Sequence, residues 1–213
     1  MSDLVRLFEN NRDWVKRMLA QDPEFFSGLA AHQQPEIMWV GCSDSRVPAN
    51  QIIGLFPGDL FVHRNIANLV VHSDLNCLSA LQFAVEILKV KHVVVCGHYG
   101  CGGVIAALMG QRLGLADNWI RNIYDVIDKH RERIFDVQDI EQRKRVLCEL
   151  NVKEQVMNTC YTTIVQDAWA RGQDLTVHSW IYDVEDGILR DMQISGESLE
   201  EVQANYKKAL AAM

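Results

Sequence analysis

The chain has 213 residues, of which 48% are hydrophobic and 23% are charged, a composition typical of a globular domain with a sizeable core. Its net charge of −7 argues against a nucleic acid or an anionic membrane as a partner, because both attract cationic surfaces. No apolar run is long enough to span a bilayer, and the first residues lack the pattern of a secretory signal. We therefore expect a cytoplasmic protein that binds neither nucleic acid nor membrane.

The apolar residues follow a pattern of helices alternating with short buried strands. The predicted elements, in chain order, are a helix over 3–19, strands over 37–41 and 60–63, a helix over 74–89, a strand over 92–97, a helix beginning at Gly102, helices over 116–131 and 152–171, strands over 175–183 and 188–194, and a terminal helix over 197–212. Continuous β-branched strands that alternate with helices favour an α/β fold with a mostly parallel sheet flanked by helices.

One domain is expected over the whole chain, 1–213, because no low-complexity linker interrupts it. It comprises an N-terminal helical arm over 1–33, an α/β core over 34–195 and a C-terminal helix over 196–213.

Two short motifs follow predicted strands and contain the residue types that bind metals. Residues 42–46 read Cys-Ser-Asp-Ser-Arg, and residues 98–103 read His-Tyr-Gly-Cys-Gly-Gly. Because ligand sites in open α/β sheets lie at the carboxyl ends of the strands, Cys42, His98 and Cys101 are expected to lie close together. Two thiolates and one imidazole are ligands that Zn²⁺ prefers. Three ligands rather than four indicate a catalytic site that keeps an exchangeable position.

Asp44 and Arg46 lie close enough on a turn to form an ion pair. Asp44 would accept a hydrogen bond from a water or hydroxide at the exchangeable position, and Arg46 would keep Asp44 ionised and in place. The alternative is a surface salt bridge with little energetic effect.

The remaining cysteines and histidines carry no comparable signal. Cys77, Cys96, Cys148 and Cys160 lie within apolar patterns and are expected to be small buried hydrophobic residues. Five further histidines have no companion ligands at metal-binding spacing and are expected to be structural or surface residues, namely His63, His72, His92, His130 and His178.

The two motifs, with residues 61–68 reading Phe-Val-His-Arg-Asn-Ile-Ala-Asn, closely resemble the β-class carbonic anhydrases, particularly those of bacteria. The resemblance covers nearly the whole chain. It implies a Rossmann-like fold, one zinc ion per chain bound by Cys42, His98 and Cys101, and reversible hydration of CO₂ to bicarbonate and a proton by attack of zinc-bound hydroxide. It also implies self-association into dimers or tetramers, with the N-terminal arm packing on a neighbour.

The resemblance further implies a substrate cleft and a regulatory pocket. The cleft residues are Gln33, Val47, Phe61, Ile66 and Gly102, and those of a non-catalytic bicarbonate pocket are Trp39, Gly41, Arg64 and Tyr182. In the inactive state of the regulated subset, Asp44 becomes the fourth zinc ligand. The residue types alone leave simpler roles open, because Val47, Phe61, Ile66, Trp39 and Tyr182 also suit an apolar core, and Arg64 suits a surface ion pair.

Other functions remain open at this point. A related zinc hydrolase acting on carbonyl sulfide or carbon disulfide would use the same ligands, and a structural zinc module would keep Asp44 as a permanent fourth ligand. A deaminase or a thiol-redox protein fits less well, because the chain lacks a Cys-x₂-Cys pair. Two thiolates make zinc a weaker Lewis acid than neutral histidines do, so an anhydrase of this type should become more active as the pH rises.

Overall fold

The computed structural model describes residues 3–31 and 33–213, without the side chain of Asp3. The chain divides into two compact units, 1–34 and 35–213, and the prediction of one domain over 1–213 stays a prediction. In the first unit, α1 (Asp3–Gln21) is followed by α2 (Phe25–Ala31), which confirms the predicted first helix. The Trp14 ring packs edge-on against Phe26, with ring centroids 5.3 Å apart, and this contact joins the two helices.

The second unit contains a five-stranded sheet with the strand order β2-β1-β3-β4-β5. Its elements are β1 (Ile37–Cys42), α3 (Ala49–Ile53), β2 (Leu60–Asn65), α4 (Leu75–Gln82), β3 (His92–His98), α5 (Gly102–Leu108), α6 (Ala116–Lys129), α7 (Arg131–Phe135), α8 (Ile140–Tyr161), α9 (Thr163–Ala170), β4 (Thr176–Tyr182), β5 (Leu189–Gly196) and α10 (Leu199–Ala211). Strands β2, β1, β3 and β4 are parallel, and β5 is antiparallel to β4. The predicted α/β class with a mostly parallel sheet flanked by helices is confirmed.

The helix predicted over 152–171 is wrong in its extent, because two helices occupy that region. The first, α8, begins at Ile140, where the side chain of Asp139 accepts a hydrogen bond from the backbone N–H of Gln142. It ends before Thr162, which has an extended backbone. The Thr162 side chain accepts a hydrogen bond from the N–H of Val165 and so begins α9. Both N-cap side chains are helix-start signals, and the cap at Thr162 interrupts the helix although the apolar pattern continues across it.

Two further helices end earlier than predicted. The helix predicted over 74–89 continues beyond α4 only as a wider π-helical turn over Phe83–Ile87. The helix predicted over 116–131 ends at Lys129, and α7 follows as a separate short helix. Differences of one or two residues are usual at helix ends, because the last turn frays.

The two faces of the sheet form separate apolar clusters. On one face, alternate strand residues such as Val40 and Val95 pack with Leu81 of α4, Val156 of α8 and Val202 of α10. The opposite face holds a smaller cluster of Trp39, Ala49, Val94, Cys96 and Tyr182, to which α3 contributes. The strands β1 and β3 lie side by side and end at Cys42 and His98, so the fold brings both motifs to one edge of the sheet. Among the described residues, no helix is long and apolar enough to cross a membrane.

Candidate active site

Cys42, His98 and Cys101 form a buried cluster at the carboxyl edge of the sheet. Cys42 is the last residue of β1, His98 is the last residue of β3, and Cys101 immediately precedes α5. The ligand atoms of the three side chains all lie within 4.8 Å of one another, and the two sulfur atoms are 3.7 Å apart. The tertiary structure therefore brings together the three residues that the motifs predicted as zinc ligands.

The ring of His98 is oriented for metal binding. Its Nδ1 atom lies 2.9 Å from the carbonyl oxygen of Tyr99. Because a carbonyl oxygen only accepts hydrogen bonds, Nδ1 carries the proton and Nε2 keeps a free lone pair. That Nε2 atom is buried and has no hydrogen-bond partner among the described residues. A buried, unpaired lone pair beside two sulfur atoms fits a metal cation.

The sulfur of Cys42 is held by hydrogen bonds that favour a thiolate. The backbone N–H groups of Asp44 and Ala67 donate to Sγ at 3.3 and 3.2 Å. Interactions with the Cys101 thiol, with His98 and with the N–H of Asp44 lower the pKa of Cys42 to about 4, against the opposing effect of burial. The hydrogen bond with Cys42 in turn raises the pKa of Cys101, burial raises it further, and the negative charge on Cys42 adds to both. A divalent cation would compensate the charge of two neighbouring thiolates, so the donor set fits Zn²⁺.

Two turns with left-handed backbone build this arrangement. Ala67, at φ 64°, lies in the turn after β2, and its carbonyl oxygen accepts a hydrogen bond from Nδ2 of Asn151 at 2.9 Å. Arg46, at φ 63°, lies in the turn after β1. Left-handed conformations are unfavourable for residues with a side chain and cluster at functional sites, where surrounding contacts impose them.

Asp44 is held beside the cluster by two partners. Its Oδ1 atom lies 3.3 Å from Nη2 of Arg46, and its Oδ2 atom accepts a hydrogen bond from the backbone N–H of Gly102 at 2.9 Å. A Cβ atom at position 102 would lie 3.3 Å from the same Oδ2 atom, so glycine lets the carboxylate approach the beginning of α5. The predicted ion pair is therefore present, and the carboxylate bridges the two motifs.

Comparisons with known proteins agree on one family. A family model described as carbonic anhydrase matches residues 37–189. The carbonic anhydrase of Emericella nidulans is 48% identical over 189 residues, which cover 89% of this chain and 83% of that protein. The chain belongs to the β-class carbonic anhydrase family. Enzymes of this class use zinc, and zinc is the cofactor that the Cys42, His98 and Cys101 triad fits.

Solved structures of β-carbonic anhydrases share the fold of this chain. The Coccomyxa enzyme superposes with a TM-score of 0.91 at 38% identity, covering 100% of this chain and 98% of that one. An enzyme from Sordaria macrospora gives a TM-score of 0.86 at 36% identity, covering 92% of this chain and 100% of that one. The Emericella and Sordaria relatives are fungal, so these comparisons support the β class but not a specific similarity to its bacterial members.

The residues predicted to line the substrate cleft of this carbonic anhydrase lie in different places. Gly102 contacts Asp44. Ile66 lies beside Gly103, because a Cβ atom added at position 103 would be only 2.7 Å from Cγ2 of Ile66. Val47 packs at the edge of the cluster that contains Trp39, and Phe61 stacks on Phe83 with ring centroids 5.7 Å apart. Gln33 belongs to the first unit. Within the second unit, the structure thus brings Gly102 and Ile66 to the zinc site and places Val47 and Phe61 in apolar packing.

The residues predicted for a bicarbonate pocket lie on β1, β2 and β4, and β3 separates Tyr182 from the other three. Gly41 is paired with Arg64 of β2, and Tyr182 is paired with His98. A Cβ atom at position 41 would lie 2.6 Å from Nε1 of Trp39, so the indole needs a glycine beside it. The Arg64 guanidinium donates to the carbonyl oxygen of Cys42 through Nε at 2.9 Å and through Nη2 at 2.6 Å. Arg64 therefore contacts the backbone of a predicted zinc ligand directly.

A second cluster of metal-binding residue types lies elsewhere in the structure. His63, Asp74 and Cys77 have ligand atoms within 4.8 Å of one another. Asp74 also accepts a hydrogen bond from the N–H of Asn76 and caps α4. Asp74 and Cys77 follow His63 by 11 and 14 residues, which match no metal-binding spacing, so only the fold brings the three side chains together. His92 likewise lies 3.2 Å from His178.

Several residues that support the zinc ligands gave no sequence signal on their own. Asn151 of α8 holds the carbonyl oxygen of Ala67, and Glu149 of the same helix accepts a hydrogen bond from the Tyr99 hydroxyl at 2.6 Å. A polar residue at a buried position of a helix is the signal that would have pointed to Asn151.

Proposed function

We propose that this carbonic anhydrase hydrates CO₂ at a zinc ion bound by Cys42, His98 and Cys101, with Asp44 and Arg46 directing the attacking oxygen. The observation that carries the proposal is the buried, unpaired Nε2 atom of His98 within 4.8 Å of two sulfur atoms. Asp44 lies next to this cluster with both carboxylate oxygens bonded, which leaves three protein ligands and a position for water.

The chain's own residues then orient the reaction. Zinc, when bound, lowers the pKa of a water molecule and so supplies a nucleophile. Asp44 accepts a hydrogen bond from the attacking oxygen, and Arg46 and the N–H of Gly102 keep its carboxylate in position. The apolar side chain of Ile66, beside Gly103, is suited to contact CO₂ near these groups.

Stopped-flow CO₂ hydration between pH 7 and 9, on zinc-loaded protein, tests this proposal. Turnover should rise with pH, because two thiolates make the metal a weak Lewis acid. One zinc per chain without turnover at any pH would contradict the proposal. It would favour a structural zinc module or a hydrolase of carbonyl sulfide or carbon disulfide, which assays with those substrates would identify.

We further propose that bicarbonate inhibits the enzyme at a pocket formed by Trp39, Gly41, Arg64 and Tyr182. Arg64 supports this role because it donates to the carbonyl oxygen of Cys42 and, at 2.5 Å, to Oγ of Ser45. An anion that captured the guanidinium would release both contacts. The turn that carries Arg46 would loosen, and Asp44 would become free to bind zinc as the fourth ligand.

Bicarbonate titrations of CO₂ hydration test this pocket. Trp39→Phe removes the indole N–H, and Trp180→Phe is a matched substitution at a neighbouring aromatic residue, with ring centroids 6.0 Å apart. Weaker inhibition only in Trp39→Phe supports the pocket. Equal inhibition of both variants and the unmodified enzyme would argue against it.

Self-association is also proposed, because the Sordaria macrospora relatives are described as tetrameric. Sedimentation velocity of the full chain should show a dimer or tetramer, and a monomer at micromolar concentration would contradict this. The cytoplasmic location stays a prediction from the sequence.

A further inference from the structure

The backbone of Tyr99 determines how His98 presents its lone pair. The carbonyl oxygen of Tyr99 lies 2.9 Å from Nδ1 of His98 and is the hydrogen-bond partner of that atom. A shift of this carbonyl would rotate the imidazole or free Nδ1, and either change would turn Nε2 away from the sulfurs. The residues that fix the position of Tyr99 therefore also determine the orientation of the His98 imidazole.

Three contacts hold Tyr99, and we refer to them as the Tyr99 clamp. The backbone N–H of Tyr99 donates to the carbonyl oxygen of Tyr182 at 3.0 Å. The Tyr99 hydroxyl donates to Oε1 of Glu149 at 2.6 Å. The guanidinium of Arg145 lies over the Tyr99 ring, 3.6 Å from its centroid. With contacts at its backbone, its hydroxyl and its ring face, this side chain, which is 6% exposed, has little freedom to move.

The two side chains of the clamp belong to one face of α8. Arg145 and Glu149 are four residues apart, which places them on neighbouring turns of the helix. Arg145 also donates to Oδ2 of Asp183, just after β4, at 3.0 Å. Since Tyr182 precedes Asp183, the clamp connects α8, the end of β3 and the end of β4 around one aromatic ring.

From this geometry we infer that Tyr99 and Glu149 are positioning residues, which slow the release of zinc and maintain its coordination geometry by fixing the carbonyl oxygen bonded to His98. The inference rests on the proposed zinc function of Cys42, His98 and Cys101. Neither residue touches substrate, and both act through His98. Hydrogen-bonding partners behind metal ligands typically change metal affinity by about 10–100-fold when they are removed.

The same helix provides a matched control. Glu154, five residues beyond Glu149, accepts a hydrogen bond from the Tyr206 hydroxyl of α10. Tyr206→Phe and Tyr99→Phe therefore each remove one tyrosine hydroxyl bonded to a glutamate of α8. Only Tyr99 contacts a zinc ligand, so a general loosening of α8 and a specific effect on His98 can be separated.

The experiment measures zinc release to a chromogenic chelator and the visible spectrum of the cobalt-substituted protein. For Tyr99→Phe we expect release about 10-fold faster or more and altered ligand-field bands, with neither change in Tyr206→Phe. Glu149→Leu should behave like Tyr99→Phe, because it removes the acceptor. Glu149→Gln keeps an acceptor oxygen and should release zinc at nearly the rate of the unmodified protein.

Two results would overturn the inference. The first is release at the unmodified rate with an unchanged cobalt spectrum in both Tyr99→Phe and Glu149→Leu. The second is equal acceleration in Tyr99→Phe and Tyr206→Phe, which would mean that α8 matters only as a scaffold. If the unmodified chain bound no zinc, the proposed zinc site itself would be contradicted. That result differs from one in which zinc binds but the Tyr99 and Glu149 variants release it at the unmodified rate, which contradicts only the positioning role.

Discussion

The cluster of Cys42, His98 and Cys101 and the cluster of His63, Asp74 and Cys77 each contain a buried cysteine and a buried histidine, but they differ in what surrounds the sulfur. Two backbone N–H groups donate to Sγ of Cys42, and its pKa is lowered to about 4. Burial, with a smaller contribution from Asp74, instead raises the pKa of Cys77 to about 12. A thiolate ligand needs compensation for its charge, and only the first cluster provides it.

The carboxylates of the two clusters differ in the same way. Asp74 is occupied as the cap of α4, whereas Asp44 is held by Arg46 and Gly102 beside the metal ligands. Three donor atoms within 4.8 Å are thus not sufficient for a metal site. The hydrogen bonds around the donors decide which cluster can bind zinc, and the comparison predicts one zinc per chain rather than two.

Replacing the cysteine of each cluster with serine is the most direct test of this difference between the clusters. In Cys42→Ser we expect zinc to be lost and CO₂ hydration to fall by more than about 100-fold, because a ligand matters more than the groups behind it. Cys77→Ser should keep one zinc per chain and its activity. Metal analysis and stopped-flow kinetics of purified protein measure both, and loss of zinc from Cys77→Ser would refute the distinction.

Replacing the aspartate of each cluster with asparagine should give the next largest difference in activity. Asp44→Asn should keep its zinc but lower kcat/KM by about 100-fold, since a neutral amide is a poor acceptor for the proton of the attacking water. Asp74→Asn is the matched control, because asparagine also caps helices well, and its kcat/KM should stay within about 2-fold of the unmodified value. Similar losses in both variants would show that Asp44 acts only through stability.

A stability measurement sharpens the comparison at Cys77. If this buried sulfur is only a packing residue, Cys77→Ser should lower the free energy of unfolding by about 1–3 kcal/mol, because it buries a hydroxyl in an apolar environment. Urea denaturation with and without excess zinc measures this. Stabilisation of the unmodified protein by a second equivalent of zinc, absent in Cys77→Ser, would instead reveal a second metal site.

The smallest expected effect is the pH dependence of stability at His63. Burial lowers the pKa of His63, and Asp74 opposes this shift. In the unfolded chain the imidazole binds a proton near pH 6.5, above the pKa of the folded state, so the folded state loses stability as the pH falls below that value. His63→Gln should make the free energy of unfolding less dependent on pH between about 7 and 5.

The unmodified protein, denatured in urea at the same pH values, supplies the control for this measurement. An unchanged pH dependence in His63→Gln, measured by urea denaturation at each pH, would show that His63 does not titrate differently on folding.

The strands, the parallel sheet and the metal triad were predictable from the sequence because their signals are local. Runs such as residues 92–97 identify strands, and the carboxyl-edge rule then brings Cys42, His98 and Cys101 together. The break at Thr162 was missed because an apolar pattern continues across it, while one side-chain hydrogen bond begins a new helix.

By itself, the sequence determined the family, the order of most elements and the candidate zinc ligands, since these depend on residue type and on spacing along the chain. Only the tertiary structure decided that Cys42 receives N–H donors while Cys77 does not, and that Glu149 holds Tyr99 behind His98. Hydrogen bonds between residues 25 or 50 positions apart depend on how helices and strands pack, and no local pattern encodes that packing.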